Sequence, residues 1–188
     1  MSLADAFEPV RSALEQAGIR YAIGGSWAST TFGEPRFTND IDILGEFTEA
    51  NLPDFLRRLP DSFYFDADEA VSAIPRGTSF NVIYMPTAFK FDFFPAAAFA
   101  LGRQELDRAI HISNTGLAEA PAPFVTPEDI LLAKLFWFRS GADISEVQWR
   151  DLKGIARTCA GSLDNFYLQV NAPTLGVRDL LEKLLTDE

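Results

Sequence analysis

The stretch Asn39-Asp40-Ile41-Asp42-Ile43-Leu44 puts two carboxylates into a run that otherwise reads as a buried strand. Side chains alternate along a strand. Phe37, Asn39, Ile41 and Ile43 therefore share one face, and Thr38, Asp40 and Asp42 share the other. With a strand from Arg36 to Leu44, the Cβ atoms of the two aspartates lie about 6–7 Å apart. Like charges on one strand face repel unless a cation lies between them. The chain is thus expected to build a sheet with one apolar face and one face carrying a polar site. A hard ion such as Mg²⁺ suits carboxylate oxygens and keeps positions for water and phosphate.

Two further features extend this site. Residues 79–95 read as a hairpin turning at Met85-Pro86-Thr87-Ala88. In its second arm Lys90 and Asp92 share a face opposite Phe89, Phe91 and Phe93. An unpaired carboxylate inside such an apolar strand is costly, which makes Asp92 the candidate third acid. Upstream, Gly24-Gly25-Ser26 follows the short strand "IRYAI" and opens a helix expected through Phe32, with Ser26 as its cap. Glycines at that junction let a backbone approach a ligand closely, and a helix N-terminus offers N–H donors to phosphate.

The rest of the chain alternates helices and strands. Helices are expected over 3–17, 52–59, 67–74 and from Ala96 toward Arg108, with strands at "SFYFD" and "AIHIS". A Pro/Ala-rich linker is expected at 119–123, dividing a core (1–120) from a C-terminal helical region (121–188). In the latter, Thr126, with Pro127 after it, and Ser145 are read as N-caps. The resulting fold class is α/β (α+β), a mixed β-sheet flanked by helices with a C-terminal helical segment. Trp27, Trp137 and Trp149 are assigned to core or interface, His111 to structure, and Glu105 and Asp107 to a solvated turn.

Composition narrows the function. The formal charge is −11, from 16 Lys and Arg against 27 Asp and Glu. A general nucleic-acid coat protein would be basic; this field attracts cations. One cysteine and one histidine exclude an internal disulfide and a thiolate metal site and disfavour His-rich metal sites. With neither an apolar run of membrane length nor a signal-like N-terminus, a cytoplasmic protein is expected.

Gly25-Ser26, then Asp40-x-Asp42 between apolar residues, then Asp92 on a later strand resemble the nucleotidyltransferase superfamily with the polymerase-beta-like core. Within it the chain looks closest to small bacterial proteins of the AbiEii and MenT toxin-like branch. "GEPRFTNDIDI" is similar to their Arg-x-Thr-x-Asp-x-Asp stretch and "FKFDFF" to their third-acid strand. "TPEDILLAKLFWFRSGADISEVQWRDLKGI" is similar to their downstream helices, where a lysine and a later aspartate recur as a pair.

The resemblance implies roles. Asp40, Asp42 and Asp92 would hold Mg²⁺, two ions in all, with Asp92 alternatively a general base. Gly24, Gly25 and Ser26 would hold the phosphates of a nucleoside triphosphate (NTP). Lys134 could reach the triphosphate, with Thr38, Lys90, Arg36 and Asp151 assisting. Lys134 on an amphipathic helix could equally be solvated, and Asp151 could merely pair with Arg150 or Lys153. The expected activity is Mg²⁺-dependent transfer of a nucleoside monophosphate from an NTP to an acceptor hydroxyl on tRNA, a protein or a small molecule. The alternatives are an aminoglycoside-type transferase and a non-catalytic, antitoxin-like nucleotide- or partner-binding member. A homodimer or an antitoxin-like partner is compatible with each. An RNA acceptor would require Arg57, Arg58, Arg139, Arg150 and Arg157 to gather on one face.

Overall fold

The computed structural model describes residues 3–118 and 120–186. Seven strands form one mixed sheet in the order β3-β4-β5-β2-β1-β7-β6. They are β1 (Tyr21–Ile23), β2 (Asp40–Gly45), β3 (Phe63–Tyr64), β4 (Phe80–Tyr84), β5 (Phe89–Pro95), β6 (Ile110–Ile112) and β7 (Ala122–Phe124). The central pair, β2 and β5, is parallel, while β1 runs antiparallel to β2 and β4 antiparallel to β5. Before β5 the chain supplies α1 (Leu3–Gln16), α2 (Gly25–Phe32), α3 (Leu52–Arg58) and α4 (Ala67–Arg76). After it come α5 (Gly102–Arg108), α6 (Pro127–Ser140), α7 (Glu146–Cys159), α8 (Asn165–Asn171) and α9 (Arg178–Thr186).

The odd-numbered face of β2 and β5 is the core. Ile41, Ile43, Phe91 and Phe93 are fully buried there. Phe55 of α3 packs edge-on against Phe93 at 5.2 Å, and Phe80 of β4 stacks on Phe93 at 5.0 Å. Burying such rings supplies about 1.5–3 kcal/mol each relative to exposure, which holds the acid-bearing strands in place. The opposite face is left for α2, α6 and α7.

Three expectations change. The strand expected from Arg36 begins only at Asp40, so Arg36 and Thr38 lie on the loop that enters it. Ser26 is not the cap of α2. The cap is Gly24, Ser26 lies in the first turn, and no side-chain cap bond forms. Ala122 and Pro123 of the expected linker instead belong to β7, which pairs parallel to β1 and antiparallel to β6; Glu119 lies outside the described residues. β7 fits because Ala122 and Phe124 are buried, while Pro123 needs no N–H partner at its own position. Thr126 and Ser145 do cap α6 and α7, accepting from the N–H groups of Asp129 and Gln148.

Candidate active site

The parallel register sets Asp40 opposite Lys90, Asp42 opposite Asp92 and Leu44 opposite Phe94. All six side chains lie on the even-numbered face. The face therefore grades, within one strand length, from charged to apolar.

Above its charged part sits the start of α2. Gly25 has φ +53°, in the left-handed region, and a Cβ there would overlap the Asp42 carboxylate. Only glycine meets both conditions. The Gly24 N–H donates to the Asp42 carbonyl at 2.9 Å, and the Ser26 N–H donates to Asp42 Oδ2 at 3.3 Å. The helix N-terminus is thus aimed at the acid cluster itself. Burial pushes the Asp42 carboxyl up to about 6; the charges of Asp40 and Asp92 push the same way, and the Ser26 N–H and Lys134 oppose them. A group so placed gains from any cation that arrives.

Asp92 already has a cation, since Lys90 Nζ lies 2.6 Å from its Oδ2. The Thr38 hydroxyl donates to Asp40 Oδ1. In this arrangement no group of three His, Cys, Asp or Glu side chains among the described residues converges closely enough to hold an ion. The donor set nevertheless fits Mg²⁺ chemically: three carboxylates on two paired strands, with the Asp42 carboxyl raised by burial and then by its like-charged neighbours.

A second layer is built by the C-terminal helices. Lys134 of α6 lies 2.9 Å from Asp151 Oδ2 on α7. Arg36 Nε donates to both Asp151 oxygens at 3.1 and 3.2 Å, and Arg36 Nη2 donates to the Ser26 hydroxyl. Lys134 is buried rather than solvated, and Asp151 pairs with Lys134 and Arg36 instead of a helix neighbour. Two cations share one anion, so excess positive charge stands beside the Gly25-Ser26 bend. The position suits a polyphosphate, although the Ser26 groups that would meet it are now engaged by Asp42 and Arg36.

The face continues into a cavity of about 430 Å³ that begins at Gly24, Gly25, Ser26 and Asp42. Leu44, Phe94, Phe99 and Trp137 form much of its apolar wall, and Glu105 and Gln148 are polar members of its lining. Sequence reasoning missed this part. Glu105 is not in a solvated turn: it lies on α5, next to the buried Leu106 and four residues from the buried Leu101. Leu101 and Leu106 stand five positions apart, off the helical repeat, so the local pattern carried no signal for it. Burial pushes the Glu105 carboxyl up to about 8, and Asp129 adds to the shift. Trp137, assigned to core or interface, is 45% exposed at the cavity.

The mixed seven-stranded sheet flanked by helices is consistent with a nucleotidyltransferase fold, and comparison with solved structures bears out that fold class. The chain superposes on the solution structure of the antibiotic-resistance factor ANT(2'')-Ia with TM-score 0.55 and 16% identity, over 96% of this chain and 94% of that one. It superposes on an antigenic nucleotidyltransferase-like protein from Paracoccidioides brasiliensis with TM-score 0.58 and 16% identity, over 100% of this chain and 93% of that one. No protein-family model matches the sequence, and no curated protein matches it. Among the described residues no helix is long and apolar enough to cross a membrane.

Proposed function

We propose that the chain is a nucleotidyltransferase that moves a nucleoside monophosphate from an NTP to an acceptor hydroxyl. The observation that carries this reading is the register: Asp42 faces Asp92 across β2 and β5, Asp40 shares their face, and the Gly25-Ser26 bend closes over Asp42. Asp40, Asp42 and Asp92 would hold Mg²⁺, which supplies charge neutralisation for phosphate oxygens and a more acidic acceptor hydroxyl. The N–H groups at the start of α2, with Arg36 and Lys134, bind and orient the triphosphate. Asp92, once exchanged from Lys90, accepts the proton of the attacking hydroxyl, and the pyrophosphate leaves toward the Arg36–Lys134 side.

A small-molecule acceptor has better support than RNA. Arg57 and Arg58 are paired with Asp54, Arg139 with Asp143 and Asp179, and Arg157 with Glu34, and of the five only Arg150 and Arg157, both on α7, line one cavity. Neutralised arginines make a poor track for a phosphate backbone. The structural likeness to an antibiotic-resistance factor points the same way and keeps the aminoglycoside-type alternative in view. The toxin-like branch, with a tRNA or protein acceptor, rests on the motif resemblance. The Lys90–Asp92 pair and the engaged Ser26 favour a second reading, a non-catalytic nucleotide- or partner-binding protein. Phe166 and Val170, exposed one helical turn apart on α8, are the surface a second copy or an antitoxin-like partner would cover.

The test is label transfer from each NTP, with Mg²⁺ and a panel of hydroxylated acceptors, by wild type and by Asp40→Ala/Asp42→Ala. Loss of metal-assisted stabilisation worth several kcal/mol lowers the rate by about 10³-fold or more. Equal transfer by both proteins would remove the proposal, and binding of NTP without transfer would establish the second reading.

A further inference from the structure

Beyond Leu44 and Phe94, the cavity is bounded by an aromatic corner in which Phe99 and Trp137 meet edge to face at 6.3 Å. Into this apolar space α5 places Glu105. Of the basic side chains on its own helix, Arg103 is exposed and Arg108 is already spent: it lies 3.1 Å from Glu128 and 3.3 Å from Asp129 and covers the Tyr167 ring at 3.7 Å. Two acids thus share that guanidinium, and no cation is paired with Glu105 among the described residues.

We propose that this cavity is a site for a small hydroxylated amine with an apolar ring: the ring lies against Phe99 and Trp137, the ammonium meets Glu105, and the hydroxyl is turned toward Asp42. On the transferase reading this molecule is the acceptor, so its role as acceptor rests on that reading, while its binding does not.

Charge complementarity selects the occupant. A nucleobase is neutral and brings no charge to favour ionised Glu105, and a triphosphate would disfavour that form further. A polyamine sugar has little to place against an apolar wall, whereas this cavity sets Glu105 in one lining with Phe99 and Trp137, with Asp42 and Lys134 also present. An ammonium beside Glu105 would restore its ionised form, which burial and Asp129 now disfavour.

The test uses the whole protein without nucleotide or metal, and ligand-observed NMR or calorimetry with 2-amino-1-phenylethanol and its neutral analogue 1-phenylethanol. Wild type is expected to bind the amine at least about tenfold more tightly than the alcohol, because a charge-assisted bond is present only in the first. Glu105→Gln should abolish that preference while leaving the alcohol's affinity in place. Trp137→Leu should weaken both probes alike. Equal binding of the two probes by wild type, a preference that survives Glu105→Gln, no binding of either, or displacement of the amine by adenosine would each overturn the assignment. Amine binding without label transfer would retain the site and remove only the transferase reading.

Discussion

Helix α6 belongs to two buried charge networks of opposite balance. Near its start, Glu128 and Asp129 share the single cation Arg108, the Tyr167 hydroxyl donates to Asp129, and the charge of Asp129 acts on the unpaired Glu105 of α5. Further along, Lys134 and Arg36 share the single anion Asp151. The first arrangement also suits the positive end of the helix dipole. Their difference shows how an acidic chain can still prepare an anion site. Net charge is a property of the whole surface; what a ligand meets is the charge left over after buried groups have paired. On the two proposals above, the ends of one cavity take opposite partners, a polyphosphate near Ser26 and a cation near Glu105.

The largest way to break the comparison is Asp151→Ala. It leaves two partly or fully buried cations without their anion, so a loss of about 3–5 kcal/mol is expected in urea unfolding. A loss below about 1 kcal/mol would show that solvent, not Asp151, carries those charges. Lys134→Met is gentler on the fold, because Asp151 keeps Arg36. It should weaken Mg²⁺–NTP binding by about tenfold or more, the worth of one charge-assisted bond, measured by calorimetry. Unchanged affinity would separate the cationic network from the ligand.

Glu105→Gln probes the other end through pH. The Glu105 pKa is raised from 4.5 to about 8 in the folded protein. The stabilisation from its protonated form is fully present below the unfolded value and is lost as pH rises through about 8. The glutamine variant should therefore match wild type near pH 4.5 and exceed it by about 1–3 kcal/mol at pH 9. A pH-independent difference would mean that Glu105 is already compensated. The smallest effect is expected at Arg178→Ala, whose exposed pair with Glu182 should matter by under about 0.5 kcal/mol. A larger change would mean that surface pairs compete with the buried networks.

Much of the acid-bearing sheet was legible in local pattern. Alternation placed Asp40 with Asp42 and Lys90 with Asp92, and the double glycine marked the bend, because strand pleat and positive φ are properties of a few neighbouring residues. The same reasoning extended β2 too far upstream. Arg36 is instead drawn off the strand line by Asp151, 115 positions away. Glu105 was unreadable for a related reason: a short polar helix carries little sign of what will cover it.

From its own order of residues, then, the chain determined two paired strands with one greasy face, one acid-bearing face and a glycine bend beside them, since these follow from interactions over a few positions. Tertiary structure alone decided that Asp42 faces Asp92, that Lys134 and Arg36 meet on Asp151, and that Glu105 enters an aromatic cavity without a cation. Lys134 lines that same cavity but pairs with Asp151, not with Glu105. Those outcomes depend on the parallel register of β2 and β5 and on how α5, α6 and α7 dock, and the cost of burying a charge far from its partner is not written in any local stretch.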